Sequence, residues 1–242
     1  MSKKDSVISL RGVSKKYLLY HEKPTLVENF LRISKRIKKE QFTALDKIDL
    51  DIKRGERLGI IGANGSGKTT LLKIIAGITT PDAGQVEIKA RVISLIDLTA
   101  GFHPELTGEE NIYLNALLLG MSREEVDQKL EAIINFAGLK QFIDTAMFTY
   151  SNGMVLRLGF AIAIHAQPEI LLLDEGLSIG DEKFRKKANL ALIKLFKRKN
   201  FTVIIVSHIK EMIQENCKRV LYLKTGKIYQ DGGLKIAQKY FK

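Results

Sequence analysis

The sequence has one cysteine, Cys217, and only four prolines in 242 residues. A lone thiol excludes an internal disulfide framework and agrees with a reducing cytosol. No proline-rich linker, internal repeat, low-complexity tract or heptad run divides the chain. Long apolar runs are missing as well: stretches such as 170–173 are far too short to cross a bilayer. The opening Met1-Ser2-Lys3-Lys4-Asp5-Ser6 lacks the apolar segment of a secretory signal. These absences lead us to expect a soluble protein. Acidic residues are the remaining shortage: 39 Lys and Arg against 27 Asp and Glu leave a net charge of +12. Such an excess implies an acidic partner, whether nucleic acid, nucleotide or an anionic membrane surface. With 45% hydrophobic residues, the chain can still bury a full core.

Apolar patterning gives the organisation. Residues 7–10 and 48–52 alternate like strands, and 57–61 is a short apolar run that reads as a buried strand. Two further strands are expected within 85–95, split near Lys89. From about 99 to 166 the pattern becomes almost wholly helical, with apolar spacing near 3.6 residues over 111–119, 123–137 and 154–164. Strands return at 170–173, 202–206 and 220–223. Alternating β and α segments predict an α/β fold with a mainly parallel sheet, into which a helical subdomain is inserted.

Gly62-Ala63-Asn64-Gly65-Ser66-Gly67-Lys68-Thr69 fits the phosphate-loop pattern without deviation. An expected buried strand precedes it, and a helix opening with Thr70 follows. The glycines let backbone N–H groups close around phosphate oxygens, and the helix start adds its positive dipole end. Lys68 is expected to neutralise phosphate charge and Thr69 to offer its hydroxyl to Mg²⁺. The strand 170–173 delivers Asp174 to its C-terminal tip, where ligands bind in open α/β sheets. Asp174 is the expected Mg²⁺ ligand, and Glu175 the general base that polarises a water. His208, after the strand 202–206, reaches the same sheet edge and can hydrogen-bond a γ-phosphate.

A second glycine turn, Tyr150-Ser151-Asn152-Gly153-Met154, comes 23 residues before Asp174, counted from Ser151. In this order, over nearly the full chain, the phosphate loop, that turn, the acidic strand end and the histidine resemble the nucleotide-binding subunit of ABC transporters. The resemblance implies a P-loop NTPase of the ABC ATPase fold as one domain, 1–242. It would have a RecA-like parallel core, an antiparallel β part and an inserted helical subdomain. It implies ATP and Mg²⁺ as cofactors, and a head-to-tail homodimer in which each turn caps the other subunit's nucleotide. Ser151 and the Gly153 N–H would then serve the partner's γ-phosphate. Asn152 stands where the family has glycine, and asparagine tolerates left-handed backbone angles. Tyr17 aligns with the family's adenine-stacking aromatic, with Tyr20 as a rival. Residues 178–181 occupy the family's loop that touches the opposite subunit. One departure is plain. The family's glutamine after the strand near 95 is missing, and Asp97 or Leu98 falls there. Asp97 could approach Mg²⁺.

Three further stretches resemble the subgroup that exports polysaccharides (O-antigen, capsule or teichoic acid precursors). They are YSNGM followed by Arg157-Leu158-Gly159-Phe160-Ala161, the run 99–111, and the run 177–184. That likeness implies an ATPase at the cytoplasmic face of the membrane, a separate permease as partner, and a lipid-linked glycan as cargo. No nucleic-acid partner is expected. The alternatives are an importer or a lipid or drug exporter of the family, or a non-transport relative acting on ribosomes or nucleic acid. Relatives of that last kind carry two cassettes or long coiled coils, and this chain has one cassette and no heptads. Some exporters of the subgroup append a C-terminal sugar-binding domain, and none is expected within residues ending at Lys242.

One stretch is unneeded by ATPase chemistry. Within about 22–41, Thr25 and Glu28 form a capping-box pattern, and Leu26, Phe30, Ile33 and Ile37 recur as one apolar stripe. Arg32, Lys35, Arg36, Lys38 and Lys39 crowd the second half. This basic helical insertion either packs on its own domain or faces anionic headgroups or a lipid-linked phosphate.

Overall fold

The computed structural model describes residues 6–20, 39–174 and 180–241. Outside them lie Glu175, Ser178 and Ile179, and nearly all of the expected basic insertion, from Thr25 and Glu28 through Lys38. In chain order the elements begin with β1 (Ser6–Tyr20), β2 (Lys39–Lys53), β3 (Arg57–Ile61), α1 (Lys68–Ile75), β4 (Ala83–Ile88) and β5 (Val92–Ser94). Three helices follow, α2 (Gly108–Leu118), α3 (Arg123–Ala137) and α4 (Asn152–His165). Then come β6 (Ile170–Asp174), α5 (Glu182–Phe196), β7 (Thr202–Val206) and α6 (Lys210–Asn216). The last elements are β8 (Arg219–Lys224), β9 (Lys227–Gly233) and α7 (Lys235–Tyr240).

A three-stranded antiparallel sheet, β2-β1-β4, accompanies a six-stranded sheet, β5-β6-β7-β3-β8-β9. All neighbours in the larger sheet are parallel except β8 and β9. The expected split near Lys89 is therefore a change of sheet, with β4 pairing β1 and β5 pairing β6.

The strand runs lacking polar alternation are explained by burial on both faces. Side chains of successive residues point to opposite sides of a sheet. Leu58 and Ile60 of β3, Ile170 and Leu172 of β6, and Ile204 and Val206 of β7 pack into one core with α1 and the antiparallel strands. Ile61, Leu171, Leu173, Val203 and Ile205 pack into the other core, with the helical subdomain. Within that second core α4 is buried without interruption from Leu158 to Ala163. Phe160 is fully buried, its ring centroid 6.0 Å from those of Phe136 on α3 and Phe184 on α5.

Three features depart from expectation. Strands β1 and β2 are much longer than the alternating cores seen in sequence, and β2 takes in Lys39–Gln41 from the end of the expected insertion. Cross-strand pairing carries both beyond their own apolar pattern, to Tyr20 opposite Lys39. α5 begins at the side chain of Asp181, which accepts the Phe184 N–H at 2.8 Å. The expectation for 178–181 is a loop touching the opposite subunit, and the helix cap at Asp181 adds to it. The C-terminal β9 and α7 close the sheet edge. Cys217, 3% exposed, sits where Gly59 allows close approach, and burial pushes its thiol up to about 12.

The Phe160 contacts tie the helical subdomain to α5, so Phe160→Ala is expected to lower the unfolding free energy by about 3–5 kcal/mol. Guanidinium unfolding checks this, and a loss below about 1 kcal/mol would mean the ring packing is not structural.

Candidate functional site

The chain turns sharply where β3 leaves the core. Gly67 is the N-cap of α1, with φ 104° and no side-chain cap. A Cβ there would lie 2.5 Å from the Ala44 carbonyl oxygen and 2.8 Å from Leu45, so only glycine fits under β2. No acidic residue occupies the first turn of α1. The opening N–H groups of α1 and its positive dipole end face a cavity of about 410 Å³, within the range of small-ligand pockets.

The expected phosphate-binding residues gather here. Asn64, Gly65, Gly67, Lys68, Thr69 and Thr70 line the cavity. Lys68 is only 7% exposed, and its Nζ donates to the carbonyls of Gly62 at 2.7 Å and Ala63 at 3.0 Å. Gly62 and Ser66 build the loop from behind. The Ser66 carbonyl accepts the Gly226 N–H at 3.0 Å, and its hydroxyl is buried without a hydrogen bond among the described residues. From the sheet edge, Asp174 at the tip of β6 and His208 just past β7 enter the same cavity. The Thr69 hydroxyl donates to Asp174 Oδ2 at 3.1 Å. A hydroxyl and a carboxylate side by side form a hard-oxygen pair that suits Mg²⁺. With the glycine-lined cradle and the buried ammonium, the residues present fit a phosphate chain and its cation.

Other expected residues lie elsewhere. Tyr17 sits on β1 directly opposite Phe42 on β2, and it is Phe42, with Ala44, that lines the cavity. Lys15 lies 5.7 Å from the Tyr17 ring centroid. Sequence reading missed Phe42, although counting two residues back from Ala44 puts it on the same face of the strand. In the stretch that lacks the glutamine, Ile96 lines the cavity. Exposed Asp97 is engaged locally, its Oδ1 accepting the Thr99 N–H at 3.1 Å and the Thr99 hydroxyl at 2.7 Å. Leu98 packs on the helical-subdomain core.

The second glycine turn is not among the cavity-lining residues. Ser151 is the N-cap of α4, its Oγ accepting the Met154 N–H at 3.3 Å. Asn152 and Gly153 already belong to the helix, and neither has positive φ. The left-handed tolerance of asparagine is thus not what the turn uses; the serine cap starts a right-handed helix at once. Among the described residues, a Cβ on Gly153 would meet nothing nearer than Ser151 Oγ at 3.9 Å, so the space beside this glycine is open. Ser151 and Asn152 are exposed. Gly180, beside Asp181, rests against Arg157 of α4.

A model of the ABC transporter family matches residues 45–178. The chain is 39% identical over 232 residues to the O-antigen export system ATP-binding protein RfbB of Klebsiella pneumoniae, spanning 94% of each chain. It is 39% identical over 238 residues to the teichoic acids export ATP-binding protein TagH of Listeria innocua, spanning 98% of this chain and 70% of that one. Among solved structures, it resembles a dimeric ATP-binding cassette in a post-hydrolysis state with ADP and phosphate bound. The TM-score is 0.69 at 26% identity, covering 94% of this chain and 98% of that one.

The placement of Phe42 has a measurable consequence. Phe42→Ala is expected to weaken ATP binding about tenfold, as loss of a base-stacking ring does, whereas Tyr17→Ala stays within about twofold. Titration with a fluorescent ATP analogue checks it, and the reverse pattern would return the stacking role to Tyr17.

Proposed function

The chain belongs to the ABC transporter family and is an ATPase, and from that premise we propose that it drives export of a lipid-linked polysaccharide through a separate membrane permease. The class of cargo is carried by one observation, the 39% identity over nearly the whole chain to ATP-binding subunits of O-antigen and teichoic acid export. Among the described residues no helix is long and apolar enough to cross a membrane. In this reading the subunit works at the cytoplasmic face beside its permease, where the net charge of +12 favours anionic lipid.

Two subunits act head to tail. What supports this is the exposed start of α4: a serine-capped helix end with open space beside Gly153, outside the cavity of its own chain. Such an end is a ready anion site, and a second copy supplies the anion. Within the cavity, Lys68 and the N–H groups that open α1 hold and orient the phosphate chain, and His208 donates to the terminal phosphate. Thr69 and Asp174 would hold Mg²⁺, which would supply charge neutralisation at the phosphates. Phe42 and Ala44 shelter the base end. Glu175, next in the chain after Asp174, accepts a proton from the attacking water. Ser151 and the Gly153 N–H close the site from the other subunit and exclude bulk water from it.

If Glu175 is the base, Glu175→Gln binds ATP normally, loses turnover by about two to four orders of magnitude and accumulates as an ATP-bound dimer on gel filtration. Near-normal turnover would remove Glu175 from this role.

Composite sites also make two inactive chains complementary. A Lys68→Ala chain keeps its Ser151 turn, and a Ser151→Arg chain keeps its phosphate loop. Mixed, they are expected to hydrolyse ATP well above the sum of the separate variants. A turn acting only on its own chain's nucleotide would give no gain.

A further inference from the structure

From beyond β5 into the first residue of α2 runs a segment, 98–108, whose backbone is gripped from two sides. On one side are buried amides of α2. Asn111 is fully buried and accepts the His103 N–H at 2.7 Å. Its Nδ2 lies within 3.1 Å of the carbonyl oxygens of His103, Leu106 and Thr107. Asn115 donates to the Ala100 carbonyl at 2.8 Å. On the other side are the turns leading into α4. Met147 N–H donates to Leu106 at 2.9 Å, Phe148 N–H to Pro104 at 2.8 Å, and Gly108 N–H to Thr145 at 3.2 Å.

Tyr150, the residue just before Ser151, closes this second side. It is 8% exposed, and its hydroxyl donates to the Phe142 carbonyl at 2.6 Å. A Cβ on Gly108 would lie 2.1 Å from that hydroxyl, so the glycine is the seat of the tyrosine. Farther along α4, a Cβ on Gly159 would lie 2.2 Å from the Leu98 carbonyl oxygen. Both ends of the segment therefore press on the α4 unit through glycines. The segment has no glutamine to reach into its own cavity, since none occurs between Val86 and Gln128.

We propose that Tyr150 is a positioning residue that makes segment 98–108 and the Ser151 turn one body, so that a shift of the segment acts on the nucleotide of the opposite subunit. The proposal rests on the composite-site reading above, and its test separates the two.

Tyr150→Phe keeps the ring, and the Phe142 carbonyl still accepts the Thr145 N–H at 3.0 Å and its hydroxyl at 2.7 Å. No buried acceptor is orphaned, so the variant is expected to fold. The experiment uses full-length heterodimers purified through two tags, with Lys68→Ala in one subunit. Their single working site joins one chain's phosphate loop to the Ser151 turn of the Lys68→Ala chain. Tyr150→Phe placed on the Lys68→Ala chain is expected to lower kcat about three- to tenfold, with KM for ATP within about twofold. Placed on the other chain, it leaves kcat within about twofold. Equal loss in both arrangements would make Tyr150 merely structural, and no loss in either would equally overturn the proposal. Lys68→Ala paired with Ser151→Arg runs alongside. If that pair is active while Tyr150→Phe has no effect, only the positioning role is lost. If that pair is dead, the composite site falls and this proposal with it.

Discussion

Parallel strands sealed on both faces by apolar packing have no room for a polar side chain along their length, so chemistry can be placed only where they end. In this molecule β3, β6 and β7 are buried between two cores, one with the antiparallel strands and α1 and one with the helical subdomain. Asp174 and His208 appear at or just past a strand's C-terminal tip, Lys68 follows β3 at the end of the glycine loop, and all three meet in one cavity. The same packing that stabilises the sheet therefore brings these side chains into one cavity. Because interiors are close-packed, their spacing resists small perturbations.

The antiparallel sheet adds what the parallel one cannot. Its strand β2 brings the Ala44 carbonyl against Gly67 and the Phe42 ring into the cavity, so the phosphate loop is roofed by a strand of the other sheet. Any side chain at position 67 would lift that roof. The loop's glycine thus serves packing between two sheets as much as the approach of a phosphate.

Local chemistry was legible in the sequence, and pairing between distant segments was not. The phosphate loop, the acidic tip of β6 and the helical block each carry their signal within a short window, and each lies where that signal put it. Phe42 was missed because its place depends on β2 lying over α1, a contact no window contains. Asp97 was read by its offset from the strand, but Thr99 supplies both donors to its carboxylate and draws it into a local turn. α5 has a regular buried stripe at Phe184, Ala188, Leu192 and Leu195, blurred by exposed Leu190 and Ile193. α6 and α7 each bury a single residue, Ile213 and Ala237, too little to leave a periodic trace. The apolar spacing over 111–119 carries no sign of what Asn111 and Asn115 do. They are buried, because the segment before α2 has no secondary structure of its own and needs their amides.

The burial of Cys217 against Gly59 also decides how the molecule can be watched. A thiol pushed up to about 12 holds almost no thiolate near neutral pH, and thiolate is the form that reacts with maleimides. Burial and the raised thiol together make Cys217 slow toward such reagents. A cysteine introduced at an exposed site away from the cavity and the Ser151 turn, such as Glu131 on α3, would take up a fluorophore or spin label selectively. Distances between two such labels across a pair of subunits could then be followed through a turnover cycle, with the natural residue left in place.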